Sequence, residues 1–314
     1  YLISSPFQAI CAIEAINYYK IATPVFLLFD RPVIKRMTLP VLQDYGEIQF
    51  LNPIGGVTPA ILKALFKQKS RKKFDLIFIG DYFSYFPYVT ALFKSKWHAR
   101  FIYLDDGNST LDIMPPTSRK RGRSNRERKY LKIWDYICNV KCIKKSFFSI
   151  YDLGEDFPYA KEKNTLSTLV SNNSIVQTGV YVIGTNSTAL HFKDRSYSDY
   201  LKALDGYIRE RYKEEKVYYC PHRRDSNDYH QLVDELGWIY QESEYGVEID
   251  FIKREISPKL IVGFGSSALY TLKKIYNTAS IHTIYFDLDN DRANIEYRAI
   301  EKEYSNYGIS TVFI

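Results

Sequence analysis

Short, nearly continuous apolar runs alternate along this chain with longer stretches in which apolar residues recur every three or four positions. The runs at 1–5, 25–29, 48–51, 75–80, 100–104 and 146–151 read as buried strands. The periodic stretches at 9–19, 32–45, 58–69 and 83–93 read as helices. Strands that are apolar on both faces, each followed by an amphipathic helix, predict a parallel sheet covered on both sides. Ser5 and Pro6 stand before the first helical stretch as an N-cap and a first helical residue. This opening unit lacks the Gly-x-Gly-x-x-Gly pattern, which disfavours a simple dinucleotide site.

Residues 152–173 are polar and irregular, and the boundary between domains is expected at their end. Alternation then restarts. Strands are expected at 175–183, 216–220, 259–263 and 280–286, and helices at 198–212, 227–236, 246–254, 266–276 and 291–304. The fold class is α/β, with two Rossmann-type domains at 1–173 and 174–314.

Composition narrows the partners. The 28 tyrosines and 19 phenylalanines suit either large interior faces or sugar-stacking clefts. With 43 Lys and Arg against 36 Asp and Glu, the net charge of +7 points to an anionic partner: nucleotide, nucleic acid, acidic glycan or membrane surface. The charge concentrates in a loop at 115–132, where Glu127 alone opposes Arg119, Lys120, Arg121, Arg123, Arg126, Arg128, Lys129 and Lys132. This run is either a solvated surface or a contact for an acidic acceptor or an anionic membrane. Aromatics are not interleaved in it, which weakens a single-strand nucleic-acid reading. Of Cys11, Cys138, Cys142 and Cys220, only Cys138 and Cys142 are close in sequence, and the five histidines are scattered. A zinc site is not expected, and a reduced, cytosolic setting fits. No apolar run is long enough to span a bilayer, and no secretory signal is visible.

Three stretches carry candidate chemistry. The strand at 100–104 runs into Asp105-Asp106-Gly107, two adjacent carboxylates at a strand's carboxyl end. Such a pair raises the pKa of one member and can take a proton from a hydroxyl, although an ordinary Asp-Gly turn has the same letters. The strand at 216–220 breaks at Pro221 into His222, Arg223 and Arg224. These are an acid near neutral pH and two fixed cations, or else a solvated basic turn. The strand at 259–263 ends in Gly263-Phe264-Gly265-Ser266-Ser267 at the start of a helix. That arrangement is either a phosphate site or a serine-capped helix on a tight turn. Asp287-Leu288-Asp289 resembles a metal-holding Asp-x-Asp, but it directly precedes the expected helix at 291–304 and reads better as a cap.

Taken in order, these stretches resemble the bacterial sialyltransferases, which show an acidic-acidic-Gly motif, a motif pairing His with Pro, and a paired Ser motif. The contexts Tyr103-Leu104-Asp105-Asp106-Gly107, Tyr219-Cys220-Pro221-His222-Arg223-Arg224 and Gly263-Phe264-Gly265-Ser266-Ser267-Ala268-Leu269 are similar to the lipooligosaccharide sialyltransferases, glycosyltransferase family fifty-two. The opening Ser5-Pro6-Phe7-Gln8 is similar to a loop there as well. One departure is that Pro221 precedes His222, where the family motif has His first. Polysialyltransferases and capsule transferases share these motifs.

The resemblance implies a GT-B fold and an inverting, metal-independent transfer of sialic acid from CMP-sialic acid to a surface glycan. The enzyme would work at the cytosolic face of a bacterial inner membrane. It implies Asp105 as general base, with Gln8, Asp106 and Gly107 on the acceptor side, and His222 as the group that protonates the leaving phosphate. Gly265, Ser266 and Ser267 would hold that phosphate, and Arg223 or Arg224 either pairs with it or faces water. Glu248, between the His and Ser stretches, is either a ribose contact or a solvated helix residue, and Gly184, Thr185 and Asn186 are placed to meet the cytidine. The donor alternatives are other CMP-activated nonulosonic acids: Kdo, legionaminic or pseudaminic acid. From another class, a basic nucleic-acid-binding protein is the rival, but no zinc-finger, RNP-type or helix-turn-helix signature supports it.

Overall fold

The computed structural model describes the chain except residues 30, 52–71, 83–84, 108–109, 111–132, 134–135, 170–177, 187–191, 223–227, 287, 289–297 and 299. The helix expected at 58–69, the basic loop, Arg223, Arg224, Asp287, Asp289 and the boundary at 173 lie outside the described residues. The chain divides into two compact units, Tyr1–Thr168 and Leu169–Ile314.

The first unit holds strands β1 (Leu2–Ile3), β2 (Val25–Phe29), β3 (Glu47–Leu51), β4 (Phe74–Ile79), β5 (Ser95–Leu104), β6 (Lys144–Ser149) and β7 (Ala160–Lys163). They form one parallel sheet in the order β3-β2-β1-β4-β5-β6-β7. Its helices include α1 (Pro6–Tyr19), α2 (Pro32–Leu42) and α3 (Tyr85–Lys94). Helix α1 begins as the sequence predicts. The Ser5 hydroxyl accepts the Gln8 N–H at 3.2 Å, and Pro6 occupies the first turn, where its missing N–H costs nothing. The helix ends at Lys20, whose φ of 54° is left-handed. Ala9, Ala12, Ile13 and Ile16 pack on Ile3, Phe26, Leu28, Phe78, Ile102 and Phe148. At about 1.5–3 kcal/mol for each large side chain removed from water, this cluster contributes substantially to the stability of the unit.

The second unit repeats the plan with β8 (Thr178–Ile183), β9 (Val217–Cys220), β10 (Ile239–Tyr240), β11 (Pro258–Gly263), β12 (Ser280–Tyr285) and β13 (Ser310–Phe313). The order is β10-β9-β8-β11-β12-β13, again all parallel. Its helices include α4 (Tyr197–Arg211), α5 (His230–Glu235), α6 (Val247–Lys253) and α7 (Ser267–Ile275). Helix α4 opens with a reciprocal capping box between Ser196 and Asp199. Its Tyr200, Leu201, Leu204 and Ile208 enter a core with Val180, Val182, Phe264 and Ile284.

Both sheets place the first strand beside the fourth. Connections leave in opposite directions there, which opens a crevice at the carboxyl ends of the two strands. Three strands escape the sequence pattern. β7 (Ala-Lys-Glu-Lys) and β13 (Ser-Thr-Val-Phe) are sheet edges without apolar alternation, and β10 is two residues long. Helix α5 is shorter in its described part than the 227–236 expected. Among the described residues, no helix is long and apolar enough to cross a membrane.

Candidate active site

In the first unit the candidate residues gather at the carboxyl edge of the sheet. β5 delivers Asp105 and Asp106, and the turn behind them is closed by Gly107, whose φ of 60° suits glycine. The Asp106 N–H donates to Thr110 Oγ1 at 2.9 Å, and the Thr110 N–H donates to Gly107 O at 3.1 Å.

The two adjacent carboxylates have opposite environments. Asp105 is fully buried. Its Oδ1 accepts the Ser149 hydroxyl at 2.6 Å and its Oδ2 accepts the Ile150 N–H at 2.7 Å, both from the end of the neighbouring strand. Burial pushes its carboxyl up to about 6, against the pull of these hydrogen bonds. Asp106 is half-buried, so solvent reaches it. Its Oδ1 accepts Gln8 Nε2 at 2.6 Å.

Gln8 is itself fully buried. Its Oε1 accepts both the Ser4 N–H at 2.7 Å and the Ser4 hydroxyl at 3.0 Å. The carboxamide is thus spent on the loop after β1 and on Asp106. Gln8, expected at the acceptor, is buried here and braces the Asp106 carboxylate. Gly80, at the end of β4, makes room for this strut. A Cβ there would lie 2.3 Å from Gln8 Oε1. Sequence reading passed over Gly80, Ser149 and Ser4. Their one signal was a small or polar residue at the end of an apolar run.

In the second unit the crevice lies between β8 and β11, and the expected donor residues stand around it. Gly184, Thr185 and Asn186 follow β8; Gly265, Ser266 and Ser267 follow β11; Pro221 and His222 follow the adjacent β9. Gly184 packs against the β9 turn so closely that a Cβ would sit 2.9 Å from the His222 N and 2.9 Å from Cys220 O. Its N–H donates to Cys220 O at 2.8 Å. The Thr185 N–H donates to the Tyr197 hydroxyl at 3.3 Å, which ties this loop to α4. His222 is half-buried at the rim.

Ser266 is the N-cap of α7, accepting the Ala268 N–H at 3.3 Å, and Ser267 is the first helical residue. Both are half-buried at the positive end of the helix, where anions bind. The Tyr304 hydroxyl anchors this turn by donating to Ser266 O at 2.9 Å. Gly265 has a φ of 50°, and its N–H donates inward to Thr283 Oγ1 at 3.1 Å. This bond and the positive φ shape the turn. Glu248 sits in the first turn of α6 and is 9 % exposed. Cys220 is buried, and desolvation followed by the Asp250 carboxylate pushes its thiol up to about 12, so it is inert. That coupling places the first turn of α6 beside the end of β9. Among the described residues, no group of three or more His, Cys, Asp or Glu side chains could hold a metal ion.

A cavity of about 250 Å³ lies at the other edge of the first sheet, lined by Tyr1, Leu27, Phe74, Lys73 and Lys94 among others. It opens at the amino ends of β1, β2 and β4, away from the acid pair, and is no part of this site.

No family model matches the sequence, and no curated protein does. Solved structures with the same fold do exist. The α/β-galactoside α-2,3-sialyltransferase of Photobacterium phosphoreum aligns over 99% of this chain and 97% of its own, with a TM-score of 0.59 at 11% identity. A sialyltransferase from Photobacterium damsela aligns over 100% of this chain and 81% of its own, with a TM-score of 0.55 at 14% identity. The GT-B domain of a Photobacterium damselae sialyltransferase aligns over 100% and 99%, with a TM-score of 0.51 at 13% identity. At such identities the likeness is one of fold. The chain has the GT-B fold expected from its sequence.

Proposed function

We propose that this protein is an inverting glycosyltransferase that moves sialic acid from CMP-sialic acid to a hydroxyl of a bacterial surface glycan, lipooligosaccharide or capsule. One observation carries the reading. The residues at the β8–β11 crevice are a helix N-terminus with paired serines and a neighbouring imidazole, which is the equipment for a departing phosphate. The acid pair on the other unit supplies the complementary need, a base for the acceptor.

The proposed step is a single displacement. A carboxylate takes the proton from the acceptor hydroxyl as that oxygen bonds to the anomeric carbon. The bond from that carbon to the phosphate oxygen breaks, and its electron pair leaves with CMP. His222 donates a proton or a strong hydrogen bond to that oxygen. Ser266, Ser267 and the α7 N-terminus stabilise the charge, each oriented donor being worth about 3 kcal/mol. A β-linked donor gives an α-linked product. On this reading the dipole and hydroxyls take the place of a metal ion, and chelators leave the rate unchanged.

We assign the base to Asp106 and not to Asp105. A general base must reach the hydroxyl it deprotonates. Asp105 is fully buried, with an oxygen bonded to Ser149 and the other to Ile150, whereas Asp106 is half-buried. Asp105 becomes a positioning residue that ties β5 to β6. Gly107 shapes the turn. Glu248 is assigned to the ribose, Gly184, Thr185 and Asn186 to the cytidine, and Arg223 and the 115–132 loop to anionic groups. Cytoplasmic work at the inner face of the inner membrane belongs to the same proposal.

CMP release from a panel of CMP-sugars tests this, with sialic, Kdo, legionaminic and pseudaminic donors and several glycan acceptors. Release with CMP-sialic acid is expected, and silence with every donor overturns the reading. Asp106→Asn should lower kcat by at least ~10²-fold while CMP still raises the melting temperature. His222→Ala should weaken that CMP response.

A further inference from the structure

We infer that the amino-terminal edge of the seven-stranded sheet, with the helical turn beside it, is a docking face for an anionic lipid bilayer. The first observation is a stripe of apolar side chains. Ile133, Tyr136 and Val140 are 47%, 70% and 51% exposed. Tyr136 and Val140, four residues apart in one helical turn, share a face of it. Trp97, near the start of β5, is 63% exposed. The His98 N–H donates to Lys141 O at 3.0 Å, which seats this part of β5 against the chain leaving that helix. Trp97 and this helical turn, which together hold four of the eight large apolar side chains exposed among the described residues, are thus joined by a backbone hydrogen bond. A buried stripe would be ordinary core, but this one faces water.

The second observation is the charge around it. Lys72 and Lys73 precede β4, Lys94 and Lys96 flank the start of β5, and Lys141 and Lys144 precede or open β6. Lys72, Lys73, Lys96 and Lys144 are exposed. Among the described residues, the acids paired with these lysines are Asp75, 2.7 Å from Lys96, and Glu47, 4.0 Å from Lys72. Lys94 is buried, the Lys73 ammonium donates to Phe93 O, and the Lys141 ammonium donates to Leu92 O, Ser95 O and Ser95 Oγ, while desolvation and then the Lys73 charge lower the pKa of both Lys94 and Lys141. The exposed lysines Lys72, Lys73, Lys96 and Lys144 outnumber these two acids, which favours an anionic surface.

Trp and Tyr with lysines beside them suit the headgroup layer. Their rings enter the acyl boundary, and the ammonium groups remain among phosphates. A protein partner would also cover apolar surface, but the ring of lysines selects anionic headgroups. The geometry also orients the unit. Seven residues of β5 separate Trp97 from Asp105; allowing for the irregular start of the strand before Arg100, they span roughly 15–20 Å at about 3.3 Å per residue of regular strand. The acid pair then faces away from the bilayer. On the glycosyltransferase reading, and resting on it, the acceptor hydroxyl belongs to a glycan that projects from its lipid and is not the first sugar at the membrane.

Vesicle co-sedimentation of the full chain tests the docking face without any turnover. Vesicles of phosphatidylcholine alone are compared with vesicles that also contain phosphatidylglycerol. Binding is expected only with phosphatidylglycerol and should fall with salt. Lys96→Glu with Lys144→Glu should weaken partition on the order of tenfold or more, since each surface lysine is worth about fivefold. Trp97→Ala with Tyr136→Ala should weaken it similarly, whereas Lys96→Arg with Lys144→Arg should bind normally. Circular dichroism and melting temperature establish that each variant is folded. Asp106→Asn should bind vesicles as the parent does, so failure of the chemistry and failure of docking are separable. Equal binding to neutral vesicles, or partition unchanged in both disrupted pairs, overturns the proposal. So does a dimer that Trp97→Ala with Tyr136→Ala dissociates while vesicle binding persists, because the occupant is then a second copy of the chain.

Discussion

A single methyl group at Gly80 should disturb the candidate base from a position that never touches it. In Gly80→Ala the new Cβ would stand 2.3 Å from Gln8 Oε1, 2.6 Å from its Cδ and 2.9 Å from its Cγ. The carboxamide must retreat by about 1 Å to restore ordinary contact. Gln8 is fully buried and tied at Ser4 and Asp106, so retreat breaks those bonds. Leaving the Ser4 N–H without its acceptor costs ~1–3 kcal/mol, and losing the bond to the Asp106 carboxylate adds to this. A total near 3 kcal/mol corresponds to a fall of roughly 6–12 °C in melting temperature for a unit of this size. Turnover should fall as well, because Asp106 loses the group that orients it. The double variant Gly80→Ala with Gln8→Ala is the control. Once the side chain is gone the methyl has room, so the double variant should cost clearly less than the sum of the two single ones. The assay is thermal melting of all four proteins, with CMP release alongside. Additive losses, or a Gly80→Ala protein as stable and active as the parent, would refute the strut.

Two further outcomes follow from the buried carboxylates. Asp105 titrates near 6 when folded, against 3.8 ordinarily. Its stability contribution is therefore fully present below the ordinary value and is lost as pH rises through 6, a change of ~3 kcal/mol at ~1.36 kcal/mol per pH unit. Asn does not titrate, so the unfolding free energy of Asp105→Asn relative to the parent should rise by about that amount from pH 4 to pH 7; urea unfolding across this range measures it, and a difference that ignores pH would contradict the assignment. Glu14, on α1 and buried, accepts the Thr168 N–H at 2.9 Å and the Thr168 hydroxyl, closing the end of the first unit onto its first helix. Glu14→Ala should cost ~2–3 kcal/mol, and hydrogen exchange at residues 164–169 should accelerate; unchanged protection there would show that the tie is dispensable.

Much of the architecture was legible before any coordinates. The alternation of apolar runs with helical periods identified most of the parallel strands, because a strand buried on both faces must be apolar throughout. The Ser5 cap with Pro6, and the Ser266 cap of α7, were readable because capping is decided within four residues. The edge strands β7 and β13 were not readable. Ala-Lys-Glu-Lys has no strand signal of its own, and it pairs because β6 offers it a row of backbone groups.

The sequence by itself determined which residue types stand at which strand ends: an acid pair after β5, an imidazole after β9, twin serines after β11. It did so because strand ends and caps are local properties of the chain. Only the tertiary structure decided which carboxylate is sealed and which is half-buried. That choice depends on Ser149 and Ile150 arriving from the neighbouring strand, and on Gln8 reaching across 98 residues of sequence to Asp106. Desolvation and hydrogen bonding act through space, so two adjacent aspartates with the same letter acquired different chemistry.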